Sequence, residues 1–342
     1  MTSTADADPP GEAGGGDTVG GDTVGGDTGG GDTGGTAGNR FESGARVAEL
    51  LRGVGYLPDT KIATVVHLGD RLGKPVLVEG PAGTGKTELA KSVAAMTGAR
   101  LIRLQCYEGM DEAKALYEWD YRKQLLAIQA HGIQQLRGIQ QAHGIQQVHG
   151  IQQDGADAGN LFAEDFLLTR PLLEAIRATE PVVLLVDEVD RLDVEAEALL
   201  LEVLSDYQVS IPELGTVSAR QVPMVFLTSN GSRELSEALK RRCLYLHLGY
   251  PTVEREREIV LARVPGISAA LATQLAQVIR SLRLLDLKKR PSVSETLDWA
   301  RTLLVLGAGQ IDSELIEQTM PVLLKNQADI ELALKKLGDQ GR

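Results

Sequence analysis

The sequence predicts an α/β fold in which a parallel sheet is flanked by helices and followed by a small all-helical domain. Three observations carry this prediction. Short apolar runs of strand type alternate with helix-like stretches between residues 41 and 250. A glycine-rich loop stands between the first of these runs and the helix after it. Beyond residue 250 no strand-type run remains, and apolar residues recur at helical spacing.

The first forty residues differ in composition from the rest of the chain. The protein has 342 residues, 35 Lys+Arg and 47 Asp+Glu, which gives a net charge of −12. Residues 1–40 hold seven of the acids and one base, hence −6, and Gly-Asp-Thr recurs there at positions 16, 21, 26 and 31. Large apolar side chains are too few to offset the entropy of ordering. Residues 1–40 are therefore predicted to be a disordered, acidic tail.

A second repeat interrupts the middle of the chain. Gly-Ile-Gln-Gln occurs at positions 132, 138, 144 and 150, a period of six. That period fits neither a helix face nor an alternating strand. Residues 129–160 are predicted to be a low-complexity insert rather than part of the active machinery.

Five apolar runs predict the strands of the sheet. They lie at 75–79, 101–104, 181–187, 223–228 and 244–248, and the third is apolar enough to be buried on both faces. A helix is predicted from Val194 to Leu204, opened by Asp193. We expect an α/β domain over residues 41–250 and a helical domain over residues 251–342.

The glycine-rich loop carries the strongest chemical signal. It has the full pattern G-x-x-x-x-G-K-[ST] and lies between a predicted strand and a predicted helix, which is the context of a phosphate-binding loop. Its backbone N–H groups and the helix N-terminus favour a bound phosphate, the lysine adds a positive charge, and the threonine offers a hydroxyl to Mg²⁺. The predicted nucleotide-binding residues are Gly80, Pro81, Ala82, Gly83, Thr84, Gly85, Lys86 and Thr87.

Polar residues follow the third and fourth strands of the predicted sheet. Asp187 ends the run at 181–187 and Glu188 follows it, and Asn230 comes after the run at 223–228. Since carboxyl ends of parallel strands share one edge, these residues are expected beside the loop. Asp187 would hold Mg²⁺ together with Thr87, Glu188 would act as general base on the attacking water, and Asn230 would orient that water or contact the γ-phosphate.

A basic cluster, Lys-Arg-Arg, precedes the last predicted strand. An arginine here can reach the γ-phosphate on a neighbouring subunit and neutralise charge in the transition state. A solvated basic helix end is the alternative that the sequence leaves open.

These motifs together resemble an AAA+ ATPase of the MoxR branch, and within it the CoxD-type proteins found beside molybdenum-containing carbon monoxide dehydrogenases. The resemblance spans residues 46 to 306. It is carried by GPAGTGKTELAK (80–91), VDEVDRLDVEAEALLLEVLSDYQVSIPELG (186–215), FLTSN (226–230), RRCLYLHLGYP (241–251) and KKRPSVSETLDWARTL (288–303). It implies a P-loop AAA+ core with a helical lid, Walker A at 80–87, Walker B at Asp187 and Glu188, and sensor 1 at Asn230.

The chain departs from the family pattern at two arginine positions. The resemblance assigns the arginine finger to Arg242, but Arg-Arg-Cys replaces the usual Asp-Arg-Phe, so Arg241 stays a second candidate. Sensor 2 is normally an arginine at the start of a lid helix. Ser292 occupies that place after Pro291, so the role falls to Arg290, with a helix-entry charge pair as the alternative.

Two further segments match insertions that are typical of the family. The resemblance implies a β-hairpin over Gln208–Gln221 and an insertion in the second helix over Glu108–Asp120. The second segment contains Tyr117-Glu-Trp119, which the sequence leads us to expect to be exposed. In relatives such elements face the pore or a client.

The resemblance implies an ATP- and Mg²⁺-dependent ATPase that works as a homo-oligomeric ring, expected to be a hexamer. It implies a chaperone that remodels or matures a metalloenzyme, such as a molybdenum hydroxylase, with a von Willebrand factor A-domain partner.

Composition excludes other classes of protein. The acidic net charge argues against a nucleic-acid-binding protein, and no apolar run is long enough to span a membrane. The two cysteines fit buried thiols in a reducing cytoplasm.

Two alternatives remain open from the sequence. One is a GTPase, since Asn326-Gln-Ala-Asp329 distantly resembles a guanine-reading motif. The other is a scaffold that binds nucleotide without hydrolysing it and uses it only to set its assembly state.

Overall fold

A five-stranded parallel sheet forms the centre of the α/β part of the chain. The computed structural model describes residues 40–129, 162–212 and 214–340, with side chains up to residue 337. The predicted tail and most of the predicted insert lie outside the described residues. The described strands are β1 (Val76–Glu79), β2 (Arg100–Gln105), β3 (Tyr117–Trp119), β4 (Leu167–Thr169), β5 (Val182–Asp187), β6 (Gln208–Ile211), β7 (Gly215–Ser218), β8 (Met224–Ser229) and β9 (Leu244–His247).

Helices flank this sheet and make up the last quarter of the described chain. They are α1 (Gly44–Gly53), α2 (Thr60–Leu72), α3 (Lys86–Thr97), α4 (Glu112–Ala115), α5 (121–129), α6 (Pro171–Arg177), α7 (Val194–Asp206), α8 (Glu237–Arg242), α9 (Val253–Arg263), α10 (Ala269–Arg283), α11 (Val293–Val305), α12 (Ser313–Leu323) and α13 (Gln327–Gln340). None of those described has the length and apolar character needed to cross a bilayer.

The sheet order is β2-β5-β8-β1-β9, and every neighbouring pair is parallel. These five strands are the ones that the apolar runs predict. All six residues of β5 and all six of β8 are buried, because helices cover both faces of the sheet. The predicted parallel sheet is confirmed.

Alternation along each strand divides the sheet's apolar residues between two cores. Leu184 and Leu227 point to one side, whereas Leu185 and Phe226 point to the other. Two filled faces hold the sheet in one register, since a slip by one residue would exchange them. This register fixes which residues meet at the carboxyl edge.

Two short antiparallel ladders lie outside the central sheet. Strands β6 and β7 form the predicted hairpin within Gln208–Gln221. Strands β3 and β4 pair across the insert, with Trp119 opposite Leu167.

The expectation that Tyr117 and Trp119 are exposed is wrong. Tyr117 is half-buried and Trp119 is buried. The indole of Trp119 makes edge-to-face contacts with the rings of Tyr117 and Phe162. Cys106 is a buried free thiol and Cys243 a half-buried one.

The five C-terminal helices share a separate apolar core. Trp299 lies at its centre, fully buried, and its indole N–H donates to Thr319 Oγ1 at 2.8 Å. A buried ion pair crosses the same region. Arg283 donates through both terminal nitrogens to the carboxylate of Glu256, and Thr296 Oγ1 donates to the same carboxylate at 2.7 Å.

We expect Arg283→Met to destabilise the helical region by about 3–5 kcal/mol, because the Glu256 carboxylate would stay buried without its cation. Urea unfolding followed by tryptophan fluorescence measures this loss. Arg301→Met is the control, since Arg301 and Asp298 form an exposed pair whose removal changes stability little. Equal unfolding midpoints for the two variants would contradict the prediction.

Candidate functional site

The phosphate loop joins the carboxyl end of β1 to the first turn of α3. Gly83 and Gly85 adopt left-handed backbone angles, with φ of 72° and 96°, which side chains disfavour. Gly85 is the N-cap of α3 and provides no side-chain hydrogen bond to the first helical N–H groups. Those donors and the positive end of the helix dipole fit an anion such as a phosphate.

Lys86 lies at the mouth of this loop and contacts three oxygens. Its Nζ donates to Gly80 O, Pro81 O and Asn230 Oδ1, each at 2.8 Å. Burial lowers the pKa of Lys86, while the charges of Asp190, Asp187 and Glu188 oppose that effect. The structure thus brings together Lys86 and Asn230, two residues that the sequence predicts for the phosphate site.

Thr87 and Asp187 meet directly at the end of β5. Thr87 Oγ1 donates to Asp187 Oδ1 at 2.9 Å, and the buried Thr228 hydroxyl donates to the same oxygen. A hydroxyl beside a carboxylate is an all-oxygen donor set of the kind that Mg²⁺ takes when it also binds nucleotide phosphates. The residues present therefore fit a magnesium–nucleotide site.

The second oxygen of Asp187 is bound by a residue that the sequence reading missed. Arg103, on β2, donates from Nε to Asp187 Oδ2 at 3.0 Å and also from Nη2 to the same oxygen. The strand at 101–104 was predicted, but the apolar run gave no sign of this arginine's partner. The parallel pairing of β2 with β5 places Gln105 beside Asp187 and Arg103 two residues before it.

Glu188 leaves the strand in a strained conformation. Its φ of 59° lies in the left-handed region, which costs a non-glycine residue about 1–3 kcal/mol. Its N–H donates to Thr228 Oγ1 at 2.9 Å, and its Oε2 accepts from Gln105 Nε2 at 3.1 Å and from Arg191 Nε at 2.7 Å. The carboxylate is partly exposed whereas that of Asp187 is buried, so the two acids face different surroundings.

A third acid, Asp190, holds the segment that follows β8, from Asn230 to Ser232, by hydrogen bonds. Its Oδ2 accepts from Asn230 N at 3.2 Å, from Ser232 N at 2.9 Å and from Ser232 Oγ at 2.6 Å. Burial alone would raise the pKa of Asp190, but these hydrogen bonds outweigh it and lower the pKa. Asp190 is not among the residues predicted for the site, although its place two residues after the predicted acid pair is a usable signal.

The basic pair at the end of α8 lies at the opposite edge of the sheet. Arg242 donates to Ser205 Oγ and to Ala238 O, and Arg241 is exposed. Both line a cavity of about 320 Å³ beside Lys74 and Pro75, which precede β1. The structure therefore does not bring Arg241 or Arg242 to the phosphate loop of the same chain.

The start of α11 rests directly on the phosphate loop. Val293 N donates to Gly83 O at 3.1 Å, and a Cβ built on Gly83 would lie 2.3 Å from Ser292 Cβ. Ser292 and Glu295 form a capping box at this helix end. Arg290 is exposed, and its assignment as sensor 2 stays a prediction.

A cavity of about 540 Å³ opens beside the loop and is large enough for a small-molecule ligand. The loop residues Gly83 to Gly85 form one wall. Apolar and aromatic side chains that the sequence reading missed line the others, notably Tyr56, Ile62, Tyr250 and Leu297. Pro58 and Asp59 mark the start of α2 in the sequence, but no local pattern relates Tyr56 to the loop.

The segment that resembles a guanine-reading motif lies away from this cavity's lining. Asn326 precedes α13, and the buried Asp329 accepts from the backbone N–H groups of Lys288 and Lys289 at 3.1 and 3.3 Å. Its carboxylate thus ties the loop before α11 to α13.

Residues 75–243 match the family model described as AAA domain (dynein-related subfamily). These residues form an AAA domain. The match runs from the residue before β1 to the residue after α8 and includes the phosphate loop, the acid pair and Asn230. The predicted AAA+ fold class is thereby confirmed, with the helices α9–α13 following the AAA domain.

Solved structures of Thermotoga maritima RuvB are similar to this chain. A variant of that protein has a TM-score of 0.45 and 20% identity, covering 83% of this chain and 73% of the other. The structure described as the RuvB Holliday junction branch migration motor has a TM-score of 0.43 and 18% identity, covering 83% and 72%. At these values the similarity extends to the fold alone. No curated protein matches the sequence.

We expect Gly83→Ala to weaken binding of ADP with Mg²⁺ by about tenfold or more, because the new methyl would push Ser292 and the start of α11 off the loop. Calorimetric titration of the full-length protein measures this. Gly98→Ala is the matched control: Gly98 also has a positive φ, at 66°, but open space surrounds its Cβ position. The control should lose about 1–2 kcal/mol of stability and keep its affinity. Equal ADP affinities for the two variants would count against the prediction.

Proposed function

We propose that this protein is a Mg²⁺-dependent ATPase. One observation carries the proposal: Lys86, Thr87, Asp187, Glu188 and Asn230 converge at one sheet edge, where Lys86 bonds Asn230, Thr87 bonds Asp187, and Thr228 links Asp187 to Glu188. The adjoining loop residues Gly83 to Gly85 line a cavity of suitable size. The AAA domain supports it, since this arrangement lies wholly within the matched residues.

Each residue of this group has a separate task in the proposed reaction. The loop N–H groups and Lys86 bind the β- and γ-phosphates. Thr87 and Asp187 hold Mg²⁺, which supplies charge neutralisation on the phosphates. Asn230 orients the γ-phosphate or the attacking water, from a position fixed by its hydrogen bond to Lys86 and by Asp190.

Glu188 is the proposed general base. Its contacts with Gln105 and Arg191 both use Oε2. We therefore assign Oε1 to the water, whose proton it accepts as the water attacks the γ-phosphate in line. The products are ADP and phosphate.

The position of Arg242 supports a ring in which each site is completed by a neighbour. Arg242 and Arg241 lie at the amino edge of the sheet, away from their own phosphate loop, with Lys74 in the same cavity. We propose a homo-oligomeric ring, expected to be hexameric, in which Arg242 reaches the γ-phosphate bound by the adjacent subunit. Arg241 is the second candidate, and Arg290 is the proposed sensor 2.

The biological role rests on the resemblance to the MoxR branch and its CoxD-type members. We propose a cytoplasmic chaperone that remodels or matures a metalloenzyme such as a molybdenum hydroxylase, with a von Willebrand factor A-domain partner. The AAA core would span residues 41–250 and the lid 251–342.

Glu188→Gln should keep ATP affinity and ring formation and lower turnover by at least about a hundredfold, because the base is removed while the binding groups stay. Phosphate release from full-length protein with MgCl₂ measures turnover. Glu195→Gln, the same change at an exposed position on α7, should keep wild-type turnover.

Two results would overturn the ATPase proposal. A wild-type ring without turnover, even with its partner present, would support the nucleotide-dependent scaffold. Preferred turnover of GTP in competition with ATP would support the GTPase.

Mixing two inactive variants tests the trans arrangement of Arg242. An Arg242→Ala subunit can bind nucleotide, and a Lys86→Ala neighbour can supply the arginine. Random rings from equal amounts should recover up to about a quarter of wild-type turnover per subunit, the fraction of complementary interfaces. The control replaces the second partner by Lys86→Ala/Arg242→Ala and should recover nothing. Absence of recovery in both mixtures would contradict the assignment, and Arg241→Ala in the same assay would test the second candidate.

A further inference from the structure

Arg103 is an unexpected cation beside the proposed magnesium site. It extends from β2 along the carboxyl edge of the sheet and makes a two-pronged contact with Asp187 Oδ2. Its Nη2 also donates to Gln105 Oε1. A magnesium ion held by Thr87 and Asp187 would use the same carboxylate as this guanidinium, and the two positive charges would repel each other.

The hydrogen bonds to Asp187 leave little room for another donor. Oδ1 accepts from Thr87 and Thr228, and Oδ2 accepts twice from Arg103. An ionised carboxylate has about four lone-pair positions, so these four bonds saturate it. A magnesium ion, or a water molecule on it, needs one of these donors to leave.

Arg103 is the donor best able to leave. Thr228 is 1% exposed and also accepts the N–H of Glu188, so it is fixed in place. The Thr87 hydroxyl can donate its proton to Asp187 while its oxygen lone pairs remain available to a metal. The Arg103 side chain is 47% exposed and has a second acceptor in Gln105.

We propose that Arg103 takes the place of the divalent cation at Asp187 in the metal-free protein and is displaced when Mg²⁺ binds with nucleotide. This inference rests on the proposed function only in placing that nucleotide at the phosphate loop. Arg103 is a positioning residue: it neutralises a buried carboxylate until the metal arrives, and in doing so it weakens metal binding.

The test measures ADP affinity of the full-length protein by calorimetry, once in EDTA and once in MgCl₂. The ratio of the two affinities reports how strongly Mg²⁺ and nucleotide bind together, and it cancels any direct effect on ADP. Arg103→Gln should raise this ratio about tenfold, because Mg²⁺ no longer competes with the guanidinium. Arg103→Gln should also lower the melting temperature in EDTA, with part of the loss recovered in MgCl₂ and ADP.

Arg100→Gln is the matched control, since Arg100 is on the same strand but pairs with the exposed Glu174 and Glu180. It should keep the wild-type ratio. Arg103→Lys keeps the charge and loses the two-pronged contact, so its affinity ratio should lie between those of wild type and Arg103→Gln. If the glutamine variant does not fold, the ratio of Arg103→Lys tests the inference.

An unchanged or smaller ratio in Arg103→Gln would overturn the inference, as would a wild-type ratio in Arg103→Lys. Because the readout is binding, these results differ from failure of the ATPase proposal, which is absence of turnover in the wild type.

Discussion

The parallel register of β1, β5 and β8 is the constraint on which the candidate site depends. Glu79 aligns with Ser229, and Val186 aligns with Leu227, so the ends of the three strands lie within one residue of the same level. The phosphate loop, the acid pair and Asn230 leave these strand ends as neighbours. The register is held by apolar residues on both faces of the sheet, which contribute far more to stability than the polar contacts at its edge. Burial of the core thus determines the geometry of the chemistry.

Much of this arrangement could be predicted from the sequence. The strands were readable because each is a short apolar run bounded by glycine, proline or polar residues. The phosphate loop was readable because its function needs particular residues at fixed spacing. Asp187, Glu188 and Asn230 followed from a general property of parallel sheets, that functional residues collect at the carboxyl edge.

The residues that escaped prediction act through partners distant in sequence. Arg103 reads as one polar residue in a strand, and only the pairing of β2 with β5 brings it to Asp187. Ser292 can be recognised from the sequence as a helix cap, and it is the N-cap of α11. Its contact with Gly83, however, depends on how the C-terminal helices pack. Trp119 was misjudged because its acidic neighbours suggest a surface, whereas its burial depends on β4, on the far side of the insert. Local patterns carry no information about such pairings.

The pairing of β3 with β4 has a consequence for how this chain can vary. The two strands bracket the Gly-Ile-Gln-Gln repeats, and their ladder holds the flanks of the insert together regardless of what lies between them. Because this ladder fixes both ends of the segment, the number of repeats between them can change without moving the carboxyl edge of the sheet that carries the candidate site.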